Sequence, residues 1–218
     1  MRTPLLIWST MLLLFAGFWL WHGGTRPPLA PNEVERYLAR MEANAAAPER
    51  IELIRDFLAN DDGAEFFMVN LLRLRAEPLQ VGAVVAGERS EDTLARYTDH
   101  HFLRALHRRG GYVVIAGPAV SGNIEAWGFA PALAWPQAGV VRYRSRRDMM
   151  ELATDPRFAD AHQYKLAALE ATLAFPIGQA FNPMRPTLLV AVILIAAGAL
   201  LQLMLTSTAR RAAGTLGE

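Results

Sequence analysis

The chain of 218 residues contains no cysteine, which excludes disulfide bonds, thiolate metal sites and cysteine nucleophiles. Net charge is nearly absent as well: 22 basic side chains against 21 acidic ones leave a formal +1, far from the basic stripe that a nucleic-acid partner needs. There is no G-x-S-x-G elbow and no H-E-x-x-H pair. The glycines of "RRGGYVVIAGPAVSGN" have neither the spacing nor the following helix of a phosphate- or dinucleotide-binding loop, so the sequence names no cofactor. His100 and His107 share a helical face but lie about 10 Å apart along the axis, too far for one ion, and no metal site is expected.

A second absence is local. Residues 5 to 21, "LLIWSTMLLLFAGFWLW", and 187 to 206, "TLLVAVILIAAGALLQLMLT", carry no charge at all. Each is about as long as the 17 to 25 residues that cross a bilayer as a helix. The reading is therefore two transmembrane helices, 4–22 and 187–206, bracketing one soluble region. A cleaved signal peptide is the alternative for the first. Against it stand the length of the apolar run, the lack of a prompt A-x-A-like site and the proline-rich "HGGTRPPLAP" that follows. Arg2, Arg210 and Arg211 flank the tails, against Arg26 and Arg185 on the loop side. That slight bias puts the tails in the cytoplasm and the soluble domain in the periplasm of a bacterial inner membrane.

Between the spans, the chain reads first as a helical extension, 32–62, in two pieces that lead up to the core. The first piece takes Asn32 as its cap, and Pro48 restarts the second. The stretch "EFFMVNLLRLR" then alternates Phe67, Val69, Leu71 with Phe66, Met68, Asn70, Leu72, apolar on both sides, as a strand over about 66–75. A helix from Ser90, with Ser90 as its cap and Gly110 and Gly111 at its end, follows. Next come the strand "YVVIAG", an aromatic connection and the strand "AGVVRYR". A helix capped by Ser145 and Asp148, interrupted at Asp155-Pro156, runs on to about Thr172, and a short last strand fits "LAFPIGQ". The order β-α-β-β-α-β over residues 65–180 is α+β and ferredoxin-like, two split βαβ units. Both helices then cover one sheet face and leave the other bare, which predicts a homodimer through that face.

Candidate site residues follow from exceptions to the pattern. Asn70 is a polar side chain on a strand apolar on both faces. It is either tied to backbone or orients a ligand. Helical spacing puts His101 with Leu94, Tyr97 and Ala105, and His162 with Phe158, Leu169 and Leu173, so these two histidines are the candidates for proton transfer. Tyr97, Trp127, Phe129, Trp135 and Tyr143 can wall an aromatic pocket, with Asn70 and His162 beside them as ligand-binding residues. The arginines at 142, 144, 146 and 147 read as a solvated face.

"FFMVNLLRLR", "YTDHHFLRALHRRGGYVVIAG" and "VVRYRSRRDMMELATDPRFADAHQYKLAALEAT" together resemble the domain of unknown function 1330 family, within the dimeric α+β barrel superfamily, over about residues 65–175. The chain departs from that pattern at Trp135-Pro136 and Tyr143-Arg144. The resemblance implies the barrel fold and a dimer. Taken with the spans, the expectation is a membrane-anchored dimeric α+β barrel protein that binds a small apolar or aromatic molecule, with catalysis left open. The rival is a non-catalytic, membrane-tethered dimerisation or interaction module, and a cavity beside Asn70 discriminates between the two.

Overall fold

A computed structural model describes residues 2–23, 26–44, 46–128, 134–178 and 186–215, and the chain divides into two units, the terminal helices and Thr25–Gln179. Phe129 and Arg185, singled out above, lie outside the described residues.

The first unit pairs α1 (Arg2–His22) with α8 (Pro186–Thr215). Within them Thr3–His22 and Pro186–Thr208 are long and apolar enough to cross a membrane. Glycine at 198 lets the two helices close up: a Cβ there would stand 3.1 Å from the Trp8 ring and 3.2 Å from Met11 Cγ. Trp8 Nε1 donates to Gln202 Oε1 at 2.8 Å, so the one strongly polar side chain of the second apolar run is spent on the first helix.

The second unit runs α2 (Pro31–Ala43), α3 (Pro48–Ala59), β1 (Phe66–Leu74), α4 (Ser90–Tyr97), a π-helical turn (Thr98–Phe102), α5 (Leu103–Arg108), β2 (Tyr112–Pro118), β3 (Gln137–Tyr143), α6 (Arg146–Ala153), α7 (Pro156–Ala168) and β4 (Leu169–Ile177). The sheet order is β2-β3-β1-β4 with every neighbour antiparallel. This is the ferredoxin-like arrangement: β3 lies between the strands of the first βαβ unit, and β1 between those of the second.

Local chemistry accounts for most boundaries. Ser145 caps α6, its Oγ accepting from the Asp148 amide at 3.1 Å. Asp155 caps α7 by accepting from the Arg157 amide at 3.0 Å, with Pro156 at the first helical position. Gly110, at φ +72°, takes the left-handed conformation that ends α5.

Four expectations are corrected. Asn32 is not a cap: α2 starts at Pro31, and the Ala30 amide donates to the Glu33 carboxylate at 3.0 Å. Ser90 is the first residue of α4 rather than its cap. The helix expected to reach Thr172 stops at Ala168, because Leu169 onward pairs with β1; Pro176 is tolerated there since β4 is an edge strand. Finally, α2 and α3 do more than lead up to the core. Tyr37, Leu38 and Leu58 are fully buried, Tyr37 donates to Glu151 at 2.6 Å, and Phe57 meets Phe66 edge-on at 5.2 Å.

Directly paired residues of an antiparallel sheet share a face. Phe66, Met68, Asn70 and Leu72 therefore lie with Tyr143, Val141, Gly139 and Gln137 under the helices. Phe67, Val69 and Leu71 lie with Ile177, Phe175 and Leu173 on the other face, where the β4 side chains remain 42–46% exposed.

The arginine run is also corrected. It is an ion-paired scaffold instead of a solvated face: Arg142 pairs with Glu65, Arg144 with Asp148, Arg146 with Asp61 and Arg147 with Glu33. Arg142 is buried, and its guanidinium donates to the Gly110 carbonyl at 2.7 Å as well.

Candidate functional site

The sheet and its helices do not meet everywhere. Over the middle of β1 and β3 they leave a half-open cavity of about 400 Å³. Its floor is Asn70 and Leu72 of β1, Gly139 and Val141 of β3, and Val113 and Ala116 of β2. Short side chains explain part of the void, since Gly139 and Ala116 cannot reach the helices. The roof is Leu94 and Tyr97 of α4, Thr98 and Phe102 of the π-helical turn, and Lys165 of α7.

The π-helical turn shapes this roof. Inserting one residue shifts the buried positions from Thr93 and Tyr97 to Phe102 and Leu106, a spacing of four, five and four. Tyr97 and Phe102 then stack at 5.5 Å with 17° between rings. An unbroken α-helix would have put His101 on the stripe with Tyr97. The extra residue turns His101 outward, where it is exposed and lines no cavity.

Three of the expected ligand-binding residues converge here: Asn70, Tyr97 and Tyr143. Asn70 Nδ2 donates to the Met68 carbonyl at 3.0 Å, and among the described residues no hydrogen bond reaches its Oδ1. One end of the side chain is thus tied to its own strand, and the residue lines the cavity. Burial pushes the Tyr97 and Tyr143 phenols up, so both stay neutral.

The others stand apart. Trp127 is 80% exposed, and Trp135 is half-buried but outside the cavity lining. His162 backs the wall instead of lining it. Its ring meets the edge of Tyr97 at 5.9 Å and leans on Phe158 at 5.9 Å. Burial, then Lys165 and Arg50, push the imidazole down to about 4, and its Nδ1 is buried with no hydrogen-bond partner among the described residues.

Lys165 is the lining residue that sequence reasoning missed. It sits three residues after His162 and seven after Phe158, on the same helical stripe, a spacing that was open to reading. Its amine lies 5.8 Å from the Tyr97 ring centroid. Burial, then Arg50, bring it down to about 8. Among the described residues no carboxylate pairs with it, and no group of three His, Asp or Glu side chains converges as a metal site.

No protein-family model matches the chain, and no curated protein does. Solved structures do. The crystal structure of a protein of unknown function from Rhodopseudomonas palustris is similar at 23% identity and a TM-score of 0.51, covering 60% of this chain and 94% of that one. Its methylated form gives the same identity and TM-score over 62% and 93%. A protein of unknown function from Bacteroides fragilis, described as dimeric and ferredoxin-like, is 12% identical at a TM-score of 0.31, covering 53% of this chain and 96% of that chain. At these identities the Rhodopseudomonas likeness establishes the fold of the α+β unit and nothing of its chemistry.

Proposed function

We propose that this protein is a membrane-anchored dimeric α+β barrel of the domain of unknown function 1330 type, and that it binds a small apolar or aromatic molecule between its sheet and helices. The observation that carries the reading is the cavity of about 400 Å³ beside Asn70. That volume falls within the roughly 300 to 1,000 Å³ of small-molecule sites, and like them it has apolar walls with a few polar groups. A pure interaction module needs no such cavity. Dimerisation rests on the bare sheet face, where Leu173, Phe175 and Ile177 of β4 and Ile115 of β2 (67% exposed) form an apolar surface. The anchor rests on α1 and α8, and the soluble unit is assigned to the periplasm on the arginines of the tails.

The test uses the full chain in phosphatidylcholine nanodiscs. Indole, naphthalene and cinnamyl alcohol are titrated while unfolding of the soluble unit is followed. Ligand that binds only the folded state raises its stability as RT ln(1 + [L]/Kd). A concentration-dependent rise in melting temperature with at least one of them is expected; no rise with any, up to their solubility limits, overturns the binding reading. Leu173→Glu should turn dimer into monomer, read by light scattering, without lowering protomer stability by more than about 1 kcal/mol, as for an exposed position. A variant that stays dimeric removes the bare face as the interface.

A further inference from the structure

We infer that the molecule taken by this cavity is an anion with an apolar body, a monocarboxylate, held by the ammonium of Lys165. The inference rests on the cavity being a binding site. It adds the charge of what binds there.

The chain matches its other cations that are withdrawn from water. The buried Arg142 and the partly buried Arg144, Arg146 and Arg147 each have a carboxylate within ion-pair distance. A charge removed from water is costly unless it is matched, and these arginines are matched. Lys165 is not. No aspartate or glutamate lines the cavity, and none pairs with Lys165 or Arg50 among the described residues. Its amine stands over the face of Tyr97, which offers a cation a fraction of what a carboxylate would.

Among the neutral polar groups of the lining, Thr98 Oγ1 donates to the Leu94 carbonyl and Asn70 Nδ2 to the Met68 carbonyl, which leaves the second Nδ2 hydrogen of Asn70 and the amide of Gln137 as the donors a guest can use. Leu72, Leu94, Phe102, Val113 and Val141 supply walls for an apolar body. One ammonium within the cavity suits one negative charge. A dianion would bring more charge than the lining matches, and a cation would meet Lys165 unshielded.

A matched pair of ligands tests the charge alone: trans-cinnamate and cinnamyl alcohol share a body and differ in the head group. Both are titrated calorimetrically into the full chain in zwitterionic phosphatidylcholine nanodiscs at pH 6.5. Cinnamate should bind at least tenfold more tightly than the alcohol. Lys165→Met, which keeps an apolar stem of similar length, should erase that preference and bring the two affinities within about twofold of each other. A measurement without any variant stands beside these in case Lys165→Met fails to fold. Raising the pH to 9.5 discharges Lys165, leaves Tyr97 and Tyr143 neutral and leaves His162 unchanged. The preference should fall with it. Equal affinity for the two ligands in the unsubstituted protein at pH 6.5 overturns the anion while keeping the cavity as a site. A preference that survives both Lys165→Met and pH 9.5 overturns Lys165 as its source. Binding of neither ligand removes both this inference and the reading it rests on.

Discussion

The helix-covered face of the sheet is finished differently at its two ends. At the start of β1, Phe66 stacks on Tyr143 at 5.3 Å with 11° between rings, Phe57 closes against it edge-on, and Met150 is buried completely. Around that end Arg142 and Arg144 each have a carboxylate, the latter at 2.7 Å from Asp148. Beside Asn70, four residues along that strand, the neighbouring strands carry only Gly139 and Ala116, a volume of about 400 Å³ stays empty, and a lysine stands without an acid. Empty volume forfeits dispersion contacts, and an unmatched ammonium costs solvation. One end therefore holds the fold together, and the other has given up stability to stay open.

The packed end should be the more sensitive to loss. Glu65 is the carboxylate of the buried Arg142, with Arg142 Nε donating to it at 2.6 Å. Glu65→Ala would strand that guanidinium, and breaking a buried pair typically costs about 3 to 5 kcal/mol. Glu65 itself keeps some contact with solvent, so a loss of about 3 kcal/mol is expected in a denaturant titration of the soluble unit. A loss under about 1 kcal/mol would place the pair among ordinary surface bridges and blur the contrast between the two ends.

Titration sharpens the contrast from the open end. His162 is held down to about 4 when folded, below an unfolded histidine near 6.5. The folded state then binds fewer protons between these values, so stability is complete above about 6.5 and falls as pH drops toward 4. After allowance for partial solvent access, the unsubstituted protein should lose about 2 kcal/mol more than His162→Phe between pH 7 and 4. Lys165, down to about 8 from an ordinary value near 10.5, acts in a higher window with the same sign. Stability rises as pH climbs from 8 to 10.5, because the unfolded chain holds the proton longer. At pH 7 the whole cost is present, and Lys165→Met should raise stability by about 1 to 2 kcal/mol. A drop instead would mean that the lysine already has a partner.

The packed end was the more legible in sequence, for physical reasons. Period-two alternation around Phe66 and the Ser145 and Asp155-Pro156 caps are local signals, and they placed β1, α6 and the start of α7 correctly. The β-α-β-β-α-β order left one sheet face bare, and a β1 apolar on both faces pointed to a partner surface there. The open end depends on relations between elements that no local pattern contains. The π-helical turn at Thr98–Phe102 carries no proline or glycine, and its extra residue moved His101 out of the stripe that a 3.6-residue period assigned to it. Arg142, Arg146 and Arg147 read as a solvated surface because their acids are distant in sequence: Glu65 and Asp61 beyond α3, and Glu33 on α2; the acid of Arg144, Asp148, lies one helical turn away and was read as a cap. Asn70, Tyr97 and Tyr143 were found because each departs from an apolar stripe or supplies an aromatic wall. Lys165 was passed over although it keeps the spacing of Phe158 and His162.

The smallest effect on stability is expected where the effect on binding is largest. Asn70 makes one internal hydrogen bond, from Nδ2 to the Met68 carbonyl two residues back on its own strand. A bond of this kind contributes about 0.5 to 1.5 kcal/mol net. Leucine at 70 would give up that bond but place an apolar group over a void that now lacks contacts, and the two changes oppose each other. Asn70→Leu should therefore leave stability within about 1 kcal/mol of the unsubstituted protein, at the low end for a substitution in a strand interior. The same side chain would occupy part of the cavity floor and remove an amide from it, and affinity for trans-cinnamate should fall at least tenfold. Stability measured by denaturant and affinity measured by calorimetry on one preparation separate the two ends of the sheet face. A loss of 2 kcal/mol or more with unchanged affinity would make Asn70 a structural residue like those around Phe66, and the cavity would lose its most central polar group.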